Sequence, residues 1–586
     1  MTHRCHLRPK LLWVDDDRPM TVLSGIGVSP GRVAGPVAVY VDAVEEPSIE
    51  GFVEGDDIEP AVDALAAAIK AVSKDLLARA DQATGTAQGV LAVTAAMASD
   101  PALLEMAAKR IRKRGESPER AIWNAAAKFI SRLSDMGGLM AERARDVSDV
   151  RDRIVATLTG VRPPGIPEPG HKFVLVAEDL APSDAAMLDP NQVMAIVIET
   201  GGPTSHTSIV ARALGIPCVV AVVGASKIPE GTVLLVDGGR GTVEISPSAA
   251  DVEAANAQSR TVRQLTGPGE TADGVRVELL ANVGSLNSVK KAVAAQAEGI
   301  GLLRTENLFF GKKKEPSIED QVTAYRAVFD AFAGRKVVVR TLDAGADKPL
   351  KFITSSTEPN PALGVRGLRT SREHLNVLDN QIAAISMARS LSSAHVQVMA
   401  PMVATADEAD FIAALCASHG IEDAGIMIEV PSAALLARWL LENATFASVG
   451  TNDLTQYAMA ADREVGALAE LTTAWQPAVL RLVKAACDGA KAAEAASAKE
   501  GVTISRPVGV CGEAAGDPAL APVLVGLGAK SLSMHPASLG DVGAVLAQTT
   551  FDQCQQLAAI ALESRDAASA RDAVRAALPA LVELGL

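Results

Sequence analysis

At 586 residues the chain is too long for one ordinary core and points to two to four domains. A hydrophobic fraction of 48% against 21% charged residues excludes a disordered chain, and with aromatics at only 3% the cores must be built from Ala, Val, Leu and Ile. The formal net charge of −15 argues against nucleic acid as a partner, although a few arginines in a cleft can still hold a small anion.

Residues 1–20, MTHRCHLRPKLLWVDDDRPM, lack the apolar stretch of a signal peptide. They read as a disordered tail, or as translation begun upstream of a start at Met20. TVLSGIGVSPGRVAGPVAVYV is then β-rich, with alternating Val and Gly/Pro punctuation. Residues 55–160 are Ala/Leu-rich with helical spacing, and four candidate helices predict a helical bundle. Ser117 followed by Pro118, Glu119 and Arg120 is a good helix start, with Pro at the first helical position. VRPPGIPEPG (161–170) is a hinge, after which strands return at 173–180, 193–200 and 232–239. The bundle is therefore expected as an insertion into a discontinuous α/β domain of residues 21–54 and 161–248. Residues 249–270 are expected to be a linker helix.

From 271 to 586 the pattern becomes eight apolar runs separated by helical stretches: 277–284, 299–307, 336–345, 395–403, 424–433, 446–454, 507–516 and 531–536. Continuous apolar runs are the mark of buried parallel strands, and eight of them predict a (β/α)8, or TIM, barrel. Six runs carry a polar side chain at or just past their C-terminal ends: Arg304, Arg340, Glu429, Asn452 with Asp453, Cys511 and His535. A barrel site of this makeup should bind an anion and a metal.

The six cysteines form no C-x-x-C pair and no disulfide framework, which suits a reducing cytosol and predicts a cytoplasmic protein. No apolar run approaches the roughly 18 residues that span a bilayer, so membrane insertion is not expected.

The sharpest local motif is TGGPTSHTSIVARALGIPCV (200–219). A strand ends, a Gly-Gly-Pro turn follows, and His206 opens a helical pattern. Backbone N–H groups, the helix dipole and the hydroxyls of Thr204, Ser205, Thr207 and Ser208 could stabilise a phosphate on its ring. The competing reading is a capping or core histidine.

GGPTSHTSIVARALGIP resembles the phosphohistidine motif of the phosphoenolpyruvate-utilising enzymes. LSGIGVSPGRVAGPV resembles the start of Enzyme I of the bacterial sugar phosphotransferase system. GIGLLRTENLFF, RTLDAGADKPL, NPALGVRGLR, GIMIEVPSA, SVGTNDLTQYAMAADR and VGVCGEAAGD are similar to Enzyme I segments in the same order. The resemblance implies a swivelling α/β phosphohistidine domain, an inserted bundle that binds the phosphocarrier protein HPr, and a barrel that binds phosphoenolpyruvate and Mg²⁺ and forms a homodimer. His206 would accept the phosphoryl group from phosphoenolpyruvate and pass it to HPr, with pyruvate released. Arg304, Arg340 and Arg463 would bind the substrate's phosphate, and Asn452 and Asp453 would hold substrate and metal. Glu429 would be the second metal carboxylate, and Cys511 would protonate the enolate. Arg366 and Lys348 would support the anion pocket.

Taken singly, these residues have blander readings. Arg304 with Glu306 could be an ion pair, Glu429 a loop cap and Cys511 an inert thiol. The sequence also departs from the family pattern. Pro203 stands where many Enzyme I sequences carry Arg, VLAVTAAMASDPALLEMA has small residues where acidic and histidine residues are common, and WQPAVL is looser. Two other functions compete. A dikinase or phosphoenolpyruvate synthase needs a nucleotide-binding domain, yet only about 200 residues, with no Gly-rich phosphate loop, precede His206. A silent scaffold would not need all the chemical residues.

Overall fold

The computed structural model describes residues 11–12, 20–29, 31–41, 44–50, 52–82, 94–95, 97–135, 139–167, 169–180, 182–185, 187–202, 205–258, 263–346, 349–350, 352–354, 358–463, 465, 468 and 470–586. The chain divides into two compact units that part at Ala257/Gln258.

The first unit is built on a sheet of nine described strands: β1 (Leu11–Leu12), β2 (Met20–Ser24), β3 (Ile26–Ser29), β4 (Arg32–Val39), β5 (Phe173–Ala177), β6 (Val193–Ile198), β7 (Cys218–Val220), β8 (Val233–Asp237) and β9 (Thr242–Ile245). They lie in the order β1-β2-β9-β8-β4-β5-β6-β7-β3. β4, β5, β6 and β7 are parallel neighbours. β5 is buried along its whole length, as expected for a strand covered on both faces. Parallel neighbours need a long crossover, and the crossover from β4 to β5 contains the helical block. Its long helices are α1 (Ile58–Gln82), α2 (Pro101–Arg114), α3 (Pro118–Asp135) and α4 (Leu139–Thr159). They enclose a core of their own that includes Leu65, Leu76, Ile111, Ile122 and Ile154. Helix α3 begins at Pro118, where the Ser-Pro-Glu signal put it.

Two local expectations are corrected. Within the stretch expected to be a disordered tail, Leu11 and Leu12 pair antiparallel with Thr21 and Met20; residues 1–10 and 13–19 lie outside the described residues. The helix expected as part of a linker, Ala249–Gln258, is docked on the sheet instead. Ala255 is buried against Ala34 and Leu235, and the Ala34 N–H donates to Asn256 Oδ1 at 3.1 Å. Alanines at this contact let the helix approach closely, which its polar composition obscured. Arg263 belongs to the second unit, where it pairs with Asp541 at 2.8 Å. Residues 259–262 lie outside the described residues.

The second unit is a closed barrel of eight parallel strands: β10 (Glu278–Val283), β11 (Gly299–Leu303), β12 (Lys336–Arg340), β13 (His395–Ala400), β14 (Ala424–Ile428), β15 (Ala447–Gly450), β16 (Val508–Cys511) and β17 (Ser531–Met534). Closure is made by β10 pairing with β17. Each strand lies inside one of the eight apolar runs, so the predicted fold class is borne out. Side chains alternate between the barrel interior and the surrounding helices. Val337 and Val339 join the large helix-facing core, whereas Leu302, Val338, Met399, Met427, Phe446 and Cys511 cluster separately. Gly425 makes room for that inner cluster, since a Cβ there would lie 2.5 Å from the Phe446 ring. Gly425→Ala is therefore expected to destabilise the barrel by about 1–3 kcal/mol through overpacking. A lowered denaturant midpoint at unchanged m-value would record it.

Candidate functional site

Residues of chemical interest occur in both units. In the first, helix α5 (His206–Leu214) follows β6 and the Gly-Gly-Pro turn. Ser205 is its N-cap, accepting from the Ser208 N–H at 3.3 Å. The capping reading of His206 is thereby excluded: Ser205 takes that place, and His206 is the first helical residue. The Ser208 hydroxyl donates to the Gly202 carbonyl at 2.8 Å inside the turn, and Ser208 and Thr207 are buried. Contrary to expectation, Ser208 therefore braces the turn. The His206 side chain, Pro203 and Thr204 lie outside the described residues.

In the barrel, strand alternation sets the site. Arg304, Arg340, Glu429 and Cys511 each stand two residues after Leu302, Val338, Met427 or Gly509. Three of these predecessors are in the inner cluster, so period-two geometry turns the functional side chains toward the same interior. Arg340 is buried and ends β12. Its Nη2 donates to Glu306 Oε1 at 2.9 Å, and its Nη1 lies 3.3 Å from Asp343 Oδ2. Its buried Nε has no hydrogen-bond partner among the described residues. Arg304 follows β11, and its side chain reaches solvent although protein atoms surround it closely. Burial, and then the like charge of Arg340, pull its pKa below the usual arginine value, yet a guanidinium stays charged. Glu306 forms its ion pair with Arg340, which goes against the blander reading of Glu306 as the partner of Arg304.

Arg366 is completely buried. Its Nε and Nη2 each lie 3.2 Å from an Asp343 carboxylate oxygen, and its Nη1 lies 3.0 Å from Asp453 Oδ1. Asp453 sits near the start of the helix Thr451–Met459, with Arg463 Nη1 3.7 Å from its other oxygen. Glu429 Oε1 accepts the Met402 N–H at 2.7 Å, where Met402 holds a left-handed φ of 58°. Gly450 is packed so tightly against Glu429 that a Cβ there would stand 2.8 Å from Oε2. Asn452 Oδ1 accepts the Glu513 N–H at 3.4 Å, and Thr451 Oγ1 donates to the Cys511 carbonyl at 3.1 Å. These bonds join the ends of β15 and β16.

Burial pushes the Glu429 carboxyl up to about 8, and the negative charges of Asp453 and Asp343 add to this against the pull of Arg340 and Arg366. Burial also pushes the Cys511 thiol up to about 11. Among the described residues no group of three or more His, Cys, Asp or Glu side chains converges as a metal cage. Glu429 and Asp453 instead offer a pair of hard oxygen donors whose mutual repulsion a divalent cation would relieve, with substrate oxygens and water completing the shell.

The structure brings Arg340, Arg366, Asp453, Arg463 and Glu429 into one network of ion pairs and mutual fields, with Arg304 and Cys511 within reach of those fields. His535 instead caps a short turn, its Nδ1 accepting the Ala537 N–H at 3.3 Å. Lys348 lies outside the described residues. Sequence reasoning missed Asp343 and weighed Glu306 only as a partner of Arg304. Asp343 joins Arg340 to Arg366, and Glu306 joins Arg340 to the Asp343 backbone. Their signal was a carboxylate two or three residues past a strand-end arginine.

No helix among the described residues is long and apolar enough to cross a membrane. Models of the phosphoenolpyruvate-utilising enzymes match in order: the N-terminal domain at residues 24–143, the mobile domain at 169–241 and the phosphoenolpyruvate-binding domain at 257–551. A phosphoenolpyruvate-protein phosphotransferase of Streptomyces coelicolor is 48% identical over 564 residues, spanning 95% of this chain and 99% of that protein. A protein of the same name from Haloferax volcanii is 36% identical over 559 residues, 92% and 97% of the two chains. Another, from Bacillus subtilis, is 36% identical over 463 residues, 75% and 79% of the two.

Proposed function

Because this chain belongs to the phosphoenolpyruvate-utilising enzymes, and among them to the phosphoenolpyruvate-protein phosphotransferases, we propose that it moves the phosphoryl group of phosphoenolpyruvate to His206 and then to a histidine of HPr. The observation that carries the reading is Arg340, a buried guanidinium whose Nε has no partner among the described residues. An unpaired buried donor is costly, and a phosphate oxygen would satisfy it. Arg304 supplies a second, solvent-accessible fork for the same anion.

In the first half-reaction an imidazole nitrogen of His206 attacks phosphorus. The N–P bond forms as the bridging O–P bond breaks, and the electron pair passes to the enol oxygen. Arg304, Arg340 and Arg463 orient the phosphate and take up charge as it develops. Asn452 and Asp453 hold the substrate. When bound by Glu429 and Asp453, Mg²⁺ would supply further neutralisation of the phosphate. Cys511 then gives its proton to C3 of the enolate, pyruvate leaves, and solvent returns the proton to sulfur. A thiol held up to about 11 by burial stays protonated at neutral pH, which suits a donor.

Cys511→Ser is accordingly expected to accept label on His206 in a single turnover. Its steady-state pyruvate production should fall by about 10²-fold or more. Parallel assays of label and pyruvate check this, and equal loss in both would remove Cys511 from the proton step.

In the second half-reaction HPr docks on the bundle of α1–α4 and takes the phosphoryl group. The segment VLAVTAAMASDPALLEMA, where this bundle departs from the family pattern, lies partly outside the described residues. This reading includes a mobile phosphohistidine domain (21–54 and 161–248, with the docked helix Ala249–Gln258), an HPr-binding bundle (55–160) and a dimerising barrel (271–586), all in the cytoplasm. The test is incubation of the protein with labelled phosphoenolpyruvate and Mg²⁺ without nucleotide. Acid-labile label that chases onto HPr is expected. A folded, metal-loaded protein that takes no label, or takes it only with nucleotide, would sink the proposal.

A further inference from the structure

Behind the arginines lies a buried polar chain that phosphoryl transfer does not itself use. It is carried by helices α6 (Ile318–Ala331) and α7 (Leu375–Ser390) of the barrel's outer ring. Gln381 is almost wholly buried and both ends of its carboxamide are occupied. Its Oε1 accepts the Leu342 N–H at 3.0 Å. Its Nε2 donates to Thr305 Oγ1 and to the Tyr325 hydroxyl, each at 3.1 Å. Thr305 Oγ1 in turn donates to the Arg340 carbonyl at 3.0 Å.

Behind Gln381, Tyr325 donates to Gln321 Oε1 at 3.5 Å, and Gln321 Nε2 donates to the Pro316 carbonyl at 3.2 Å. Every group then has one assigned direction of donation. The chain thus has a single arrangement, and a fully satisfied buried network of this kind rigidifies what it touches. What it touches is specific. Thr305 is the residue after Arg304, and Leu342 is two past Arg340. Glu306 makes a second bridge between the same two segments, accepting from Arg340 Nη2 at 2.9 Å and from the Asp343 N–H at 3.1 Å.

We propose that Gln381 is a positioning residue that sets the spacing of Arg304 and Arg340 by locking the turn after β11 to the segment after β12. The inference rests on the reading of this barrel face as the phosphoenolpyruvate site. A phosphate held by two guanidinium forks is sensitive to their separation, and a misplacement of about 1 Å can cost about 10²-fold in rate.

The experiment compares Gln381→Leu, Thr305→Val and Thr305→Ser with the wild type in the two half-reactions. Loss of the carboxamide, or of the Thr305 hydroxyl, is expected to lower kcat/KM for phosphoenolpyruvate by about 10²-fold, with KM raised. Thr305→Ser keeps the hydroxyl and should stay near wild type. Transfer from phosphorylated His206 to HPr should be unchanged, because that chemistry belongs to the other unit. Coupling predicts that the Leu/Val double variant loses little more than either single one. The Thr305 pair decides the matter even if Gln381→Leu fails to fold. Wild-type values of KM and kcat/KM in Thr305→Val, or equal losses in Thr305→Val and Thr305→Ser, would overturn the inference. A wild type that takes no label would overturn the phosphotransferase reading and this inference with it.

Discussion

On the proposed function, replacing His206 with alanine is expected to abolish transfer of label from phosphoenolpyruvate to HPr, a fall of at least about 10⁴-fold, because the proposed nucleophile would be gone. The variant should fold. Ser205 supplies the N-cap of the helix and Gly215 closes it with a left-handed φ of 67°. Alanine at the first helical position is also a good helix former. The expected result is therefore an unchanged thermal unfolding midpoint with no acid-labile phosphate. The barrel should still bind phosphoenolpyruvate, read as a ligand-dependent rise in its unfolding temperature. Label persisting at wild-type level would move the acceptor to another residue, and loss of phosphoenolpyruvate binding would show damage beyond the nucleophile.

The second large effect is expected at Arg340. Arg340→Ala removes the buried guanidinium from between Glu306 and Asp343, both of them buried carboxylates. Asp343 keeps Arg366, but Glu306 loses its ion-pair partner. Breaking a buried pair from one side costs about 3–5 kcal/mol, so a lowered denaturant midpoint should accompany the kinetic loss. On the proposed function, kcat/KM for phosphoenolpyruvate should fall by about 10³-fold or more, since a fixed donor to developing charge is lost along with substrate binding. Arg340→Lys discriminates the causes. An ammonium restores one charge opposite Glu306 but not the fork with its free Nε, so stability should recover more than activity does. Recovery of both would reduce Arg340 to a structural counter-ion. Measuring single-turnover labelling of His206 beside unfolding separates the two outcomes.

The barrel strands were legible because each is a short continuous apolar run, and Arg304, Arg340, Glu429 and Cys511 stood out as polar side chains at or just past the C-terminal ends of those runs. His206 was legible from its turn and helix start. What was illegible came from partners far apart in the chain. The helix Ala249–Gln258 reads as a polar linker until Ala34 and Leu235 are brought against Ala255. Glu306 reads as the partner of Arg304, two residues away, yet it pairs with Arg340 across neighbouring strands. Gln381 carries no sequence signal, being one amide in the helix Leu375–Ser390.

The sequence by itself determined the residue types of the chemistry, the eight-strand count and the family, because local periodicity and ordered motifs are properties of the chain alone. Only the tertiary structure decided which carboxylate faces which arginine, that the Nε of Arg340 has no partner among the described residues, and that Gln381 bridges the two arginine-bearing segments. Closure of the barrel makes β11 and β12 neighbours, and pairing in a buried site is governed by distances between side chains, which the order of residues along the chain does not contain.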